Sequence, residues 1–192
     1  MILEGLITTQ NADGTANLAP MGPIVDAGLT SFLFRPFQSS RTFQNLRVRP
    51  QAVFHVIDDV LLIAQAAIDR WIETPQLRPA ERIPGQVVVG CCRWYELTAI
   101  AIDASAPRSE IQTLVEYVGH ERDFFGFHRA RHAVLEAAIL ATRRHMIPAA
   151  ELHAELERLR IAVAKTAGPR EEQAFDLLWN YIHEPAPTGG PS

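Results

Sequence analysis

Over roughly the first two thirds of the chain, apolar residues fall in short runs separated by turn-forming residues; over the last third they recur at helical spacing. In "LEGLITTQNADGTANLAPMGP" one run leads into Asn11-Ala12-Asp13-Gly14 and out into a second, which predicts a hairpin. Pro20 and Pro23 cannot donate to a ladder, so the second strand is expected at an edge or irregular there. Further strands are expected from Ser31 to Arg35 and from Ala52 to Ile57, with a short helix from Thr42 to Arg49 between them, ended by Pro50. "DDVLLIAQAAIDRW" fits a buried helix, and "GQVVVGCCRWYELTAIAID" a long strand with a bulge near Gly90. "SEIQTLVEYV" satisfies both periods, and its β-branched residues favour a strand.

From Gly126 onward the pattern is helical. "FHRARHAVLEAAILATRRHMI" stops at Pro148, "AAELHAELERLRIAVAKTA" ends at Gly168, and "PREEQAFDLLWNYI" opens with proline and acidic residues, as a helix start does. The expected architecture is α+β: residues 1–122 strand-rich, 123–184 a helical subdomain, and 185–192 a disordered tail.

Composition narrows the function classes. A net charge of -4 gives no footprint for nucleic acid. No apolar run has the length of a membrane span, and MILEGLITTQ lacks the basic and apolar regions of a secretory signal, so the expected compartment is the cytoplasm. Cys91 and Cys92 are adjacent, which rules out an ordinary structural bridge between them; on a strand one would point inward and one outward. No zinc-type spacing occurs, and no metal is expected.

Candidate chemistry concentrates in "SFLFRPFQSSRTFQNLRVRPQAVFHVI". Arg35, Ser39, Ser40, Arg41 and Thr42 stand between two buried strands, where a plain turn would use Gly, Pro, Asn or Asp. If a helix starts near Thr42, its free N–H groups join the hydroxyls and guanidinium groups in a set suited to a phosphate monoester. The plainer alternative is that Ser40 or Thr42 caps the helix and the arginines are solvated.

"FLFRPFQSSRT" after "ANLAPMGPIVDAG" resembles the FMN-binding split-barrel flavoproteins, in which a hairpin leads to a strand, a Ser-Arg-Lys phosphate loop and a short helix. Thr42 stands at the lysine position, so Arg35 or Arg41 would supply the charge. The chain as a whole resembles the DUF447 family, through "EGLITTQNADGTANLAPMGP", "RPFQSSRTFQNL", "FHVIDDVLL", "FFGFHRARHAVLEAAILATR" and "AKTAGPREEQAF". The resemblance implies an FMN-binding split β-barrel with added C-terminal helices, usually as a homodimer, and assigns no reaction. On this reading the proline-interrupted strand turns Ala19, Met21 and Gly22 toward the isoalloxazine ring, with Asn17 adding a side-chain contact; the alternative is a proline-protected edge strand.

A second constellation lies on the helix beginning near Arg129. Arg129, His132, Glu136 and Arg143 share one stripe. As chemistry, the stripe would bind an anionic substrate, with His132 as proton donor and Glu136 fixing its charge. As structure, it would be an ion-pair network against another helix or a partner subunit. The opposite face, Ala130, Val134, Ala137 and Ala141, suits close packing in an isologous dimer. His55 is expected as a satisfied core histidine, Asp58-Asp59 as a helix cap, and Trp71, Trp94 and Trp179 as core. With the resemblance, the expected function is an FMN-dependent oxidoreductase with a small-molecule substrate; the alternatives are a flavin reductase using FMN as substrate and a non-catalytic flavin-binding or carrier homodimer.

Overall fold

The computed structural model describes residues 1–185, so all but the first residue of the expected tail lies outside the described residues. The chain divides into two compact units. One comprises residues 1–59 and 73–125; the other begins with 60–72 and resumes at Gly126.

The first unit is built on a seven-stranded antiparallel sheet. Its strands are β1 (Gly5–Gln10), β2 (Ala16–Met21), β3 (Ile24–Val25), β4 (Ser31–Phe34), β5 (Gln51–Val56), β8 (Arg93–Asp103) and β9 (Glu110–His120), while β6 (Leu77–Pro79) and β7 (Gln86–Val88) pair separately. The order β2-β1-β5-β8-β9-β4-β3 leaves β3 at one end. That end is not free. Leu3 N–H donates to Pro23 O, Val25 N–H to Met1 O, and Ile2 bridges Ile24. The segment that feeds β1 therefore pairs with β3 and curls the sheet into a half-open barrel.

The ambiguous segment at 109–118 is a strand, β9, paired along its length with β8. Inside the barrel, Ile7, Phe32, Phe34, Phe54, Tyr95 and Leu97 pack together, and α1 (Arg41–Val48) adds Phe43 and Leu46 to the same core. Phe32 meets Tyr95 at 4.8 Å between ring centroids and Phe54 at 5.6 Å, the spacing of favourable tilted aromatic pairs.

Three details differ from the sequence reading. The long β run is two strands in two sheets, because Gly90, at φ 84, turns the chain between β7 and β8. The register shifts lie within β8 instead, at Glu96/Leu97 and Ala99/Ala101. That same turn breaks the alternation expected of Cys91 and Cys92. Both are buried and free, and burial pushes the Cys91 thiol up to about 12. Of the tryptophans, Trp94 is core, whereas Trp71 is exposed and Trp179 half-buried. Trp94 also dictates a glycine across the ladder, since a Cβ on Gly119 would lie 1.9 Å from its ring.

The helical unit contains α2 (Val60–Ile68), α3 (Arg129–Thr142), α4 (Ala149–Thr166) and α5 (Pro169–His183). It thus takes in α2, which the sequence pattern had kept with residues 1–122; α2 packs on α3 and α5. Ala130, Val134, Ala137 and Ala141 of α3 are buried inside this unit. The small-residue face that suggested a dimer surface is already used within the protomer. Arg131, off the expected stripe, forms an ion pair with Glu171 of α5 at 2.8 Å. Burial raises the Glu171 carboxyl, but the Arg131 and Gly168 hydrogen bonds outweigh it and hold the group below its usual value.

Among the described residues no helix is long and apolar enough to cross a membrane.

Candidate functional site

The connection from β4 to α1 carries Arg35, Ser39, Ser40, Arg41 and Thr42, and other backbone holds it in place. Gln38 N–H donates to Pro107 O, its side-chain amide to Ala104 O and Ala106 O, and both the amide and the hydroxyl of Ser109 donate to Pro36 O. Arg108 lies over the exposed Phe37 ring at 4.6 Å. The turn between β8 and β9 thus acts as a splint for the loop.

Ser40 is the N-cap of α1, its Oγ accepting the Phe43 N–H at 3.2 Å. Capping and anion binding are compatible here, because the cap uses a lone pair and leaves the hydroxyl proton free to donate. Arg35, Ser39 and Arg41 are exposed, and the first turn of α1 contains no acidic residue. Arg41 adds to the lowering of the Asp13 carboxyl on the β1–β2 turn, after the larger contribution of the Thr15 hydrogen bonds.

Thr42 occupies a different position from its neighbours. It is only 2% exposed, and its hydroxyl accepts the Asn17 side-chain amide at 3.3 Å. Asn17 also donates to Thr9 Oγ1 at 3.2 Å, while Asn45 donates to Thr9 Oγ1 at 3.0 Å and to Asn11 Oδ1 at 2.9 Å. Thr42 and Asn17, expected as two separate ligand contacts, are bonded to each other. Thr9 and Asn45 complete the cluster; Asn45 stands in the polar run between the two buried strands, whereas the sequence reading missed Thr9, a strand residue with no signal beyond its polar character.

Ala19 and Met21 on β2 are half-buried and pack against the barrel core. All six β2 residues are half-buried, without the alternation of an ordinary edge strand, although the pairing with β1 continues through Pro20 opposite Leu6. At Gly22 a Cβ would meet the Glu4 carboxylate and Ile2 at 2.9 Å, so the glycine answers a close approach.

The stripe on α3 is exposed. Arg129, His132 and Glu136 border an apolar groove of about 320 Å³ with Ala133, Leu159 and Ala162, while Arg143 is the C-cap residue. No ion pair or side-chain hydrogen bond joins Arg129, His132, Glu136 and Arg143 among the described residues, so the expected network does not form within the protomer. Asp58, expected as a cap, accepts from the Arg122 guanidinium and from Phe125 N–H at 2.8 Å. His55 is fully buried and satisfied: Nδ1 donates to Leu6 O at 3.2 Å, and Nε2 accepts the Val88 N–H at 3.1 Å.

Comparison with known proteins now places the chain. Residues 3–122 match the family described as "Protein of unknown function (DUF447) N-terminal domain", and residues 128–180 match "Protein of unknown function (DUF447)". The chain belongs to the DUF447 family. Among solved structures it is similar to an FMN-bound DUF447 protein from Methanosarcina mazei, at 18% identity over 94% of both chains with a TM-score of 0.80. It is also similar to the flavin reductase of styrene monooxygenase from Pseudomonas putida S12, at 9% identity, 62% of this chain and 80% of that one, TM-score 0.53. Nitrilotriacetate monooxygenase component B from Bacillus cereus matches at 16% identity, 62% and 69%, TM-score 0.52. No curated protein matches the sequence. These likenesses show the fold of this DUF447 chain: a flavin-reductase-type split β-barrel with C-terminal helices.

Proposed function

We propose that this DUF447 protein holds FMN and works as an oxidoreductase on a small-molecule substrate. The observation behind this reading is the β4–α1 connection: Arg35, Ser39, Ser40 and Arg41 stand on the splinted segment that leads into the N-terminus of α1, with no carboxylate from residue 35 to 42. That donor set fits a phosphate monoester, whose charge needs guanidinium forks and whose oxygens take hydroxyl and amide hydrogens. The FMN-bound relative of the same family supports the identity of the ligand.

On this reading the loop grips the phosphate, and Ala19, Met21 and Gly22 of β2 border the ring. Thr42 and Asn17 hold loop and strand in register. Bound there, the flavin would supply electron or hydride transfer, while the chain binds it and sets its orientation. The proposal includes a homodimer. For it the buried small-residue face of α3 is replaced by the exposed apolar residues of the β8–β9 hairpin, Ile100, Ile102, Leu114 and Val118. We place the protein in the cytoplasm, where free cysteines such as Cys91 and Cys92 stay reduced.

One observation favours a second reading, a reductase that takes FMN as substrate: Arg35, Ser39 and Arg41 all lie exposed, so solvent screens the grip on the phosphate. Aerobic purification, an absorbance spectrum and mass identification of released cofactor separate the cases. Retained FMN that NADH or NADPH reduces supports the oxidoreductase. A colourless protein that reduces added FMN supports the reductase, and retained FMN inert to both donors supports a carrier. Protein that neither retains nor binds FMN contradicts all three.

A further inference from the structure

The barrel unit has a cavity of about 290 Å³ between the β1–β2 hairpin and the segment joining β6 to β7. Thr8, Gln10, Gln51, Gln86, Pro79 and Pro84 are among the residues that line it, and among the described residues no charged one does. Within the described residues the side-chain amides of Gln51 and Gln86 have no protein partner.

The walls are fixed. Thr8 Oγ1 donates to Gln86 O at 2.5 Å, and Ala80 N–H donates to Gly85 O at 3.0 Å. More telling is Glu96, a fully buried carboxylate on β8. It accepts the Glu81 and Arg82 N–H groups at 2.7 Å, the Ile83 N–H at 3.2 Å and the Trp94 indole N–H at 3.2 Å. A buried carboxyl group with four donors holds the 81–83 turn, and Ile83 with its neighbours Pro84 and Gly85 forms that side of the cavity. A wall held in this way is preorganised, and preorganisation lowers the cost of binding.

We infer that this cavity binds a small uncharged ring bearing a carboxamide or lactam group. Glutamine amides offer a donor and an acceptor side by side, which pair with the same two groups on such a ring. A charged ligand would lose hydration with no counter-charge among the lining residues. The proline rings of Pro79 and Pro84 present apolar walls, and the volume suits one ring with a substituent, at the small end of ligand pockets. This inference does not rest on the flavin reading.

Nicotinamide and nicotinate, equal in size and different in charge, are the probes. They are titrated into full-length protein, with and without saturating FMN, while the Gln51 and Gln86 side-chain amide resonances are followed by NMR. Each resonance is assigned by its disappearance in Gln51→Leu and Gln86→Leu. Saturable shifts with nicotinamide and none with nicotinate are expected, alike in both flavin states. Each leucine variant should bind nicotinamide at least fivefold more weakly with an unchanged circular dichroism spectrum. If a leucine variant unfolds, Ala16→Leu, which narrows the cavity from β2, should give the same loss. Equal response to both probes, no saturable shift, full affinity in the folded variants, or shifts confined to FMN-loaded protein would overturn the assignment.

Discussion

The side-chain amide of Asn17, on β2, donates to the hydroxyl of Thr42, in the first turn of α1, across 3.3 Å. This bond joins the strand proposed to border the flavin ring to the helix proposed to hold its phosphate. Through Thr9 and Asn45 it extends to a cluster spanning β1, β2 and α1. A phosphate loop is useful only if it keeps a fixed distance from the place where the ring sits. The cluster supplies that constraint from side chains that need not touch the ligand.

Thr42→Val keeps the shape and removes the hydroxyl. Losing one largely buried hydrogen bond should lower stability by about 1 kcal/mol in urea denaturation. It should also weaken FMN several-fold in a fluorescence titration, although Thr42 is buried. Ser39→Ala, at an exposed position, should weaken FMN without moving the denaturation midpoint. An unchanged FMN affinity in Thr42→Val would show that loop and strand are not coupled.

His55 makes stability depend on pH. Burial pushes its imidazole down from 6.5 to about 4, with the Leu6 hydrogen bond opposing and Arg78 adding to the effect. The bonds fix the neutral form, because Nε2 needs its lone pair for the Val88 N–H. The unfolded chain therefore takes up this proton first. The contribution is fully present above about pH 6.5 and is lost as pH falls toward 4, a swing on the order of 3 kcal/mol. Denaturation at a series of pH values should show that slope, and His55→Gln, which keeps an acceptor for Val88, should flatten it. Equal slopes in the two proteins would assign the effect to other groups.

The α3 stripe should be quiet in folding. His132 and Glu136 are exposed and unpaired among the described residues, so His132→Ala and Glu136→Gln should each change stability by less than about 0.5 kcal/mol. The thermal melt tests this. A loss of several degrees in either variant would mean that the stripe is buried against a partner subunit. A change in flavin reoxidation at constant melting temperature would mark it as part of the chemistry.

What the sequence made legible was local. The Asn11–Gly14 turn, the strand–loop–helix run from Ser31 to Val48 and the three C-terminal helices follow from turn chemistry and periodicity, which act over a few residues. The candidate loop was legible for the same reason, since Arg35 to Thr42 are contiguous. Relations set by tertiary packing were not. The i,i+4 rule selected Arg129, His132 and Glu136, yet the arginine that takes a carboxylate is Arg131, whose partner Glu171 lies 40 residues away on another helix. The alanine face of α3 read as a surface because nothing local says that α2 and α5 will cover it. Glu96 looked like an ordinary strand residue until the 81–83 turn was seen folded onto it.

The central claim is that the β4–α1 loop holds the phosphate of FMN, and the direct measurement is a paired titration of FMN and riboflavin into wild type, Arg35→Ala and Arg41→Ala. Each lost charge-assisted contact is expected to cost about 1.5 to 3 kcal/mol before solvent screening of these exposed arginines reduces it, so FMN should weaken by roughly tenfold in each variant. Riboflavin, which lacks the phosphate, should bind wild type much more weakly than FMN and should not distinguish wild type from the variants. Equal affinity of wild type for FMN and riboflavin, or an equal loss of both ligands in the arginine variants, would contradict the assignment.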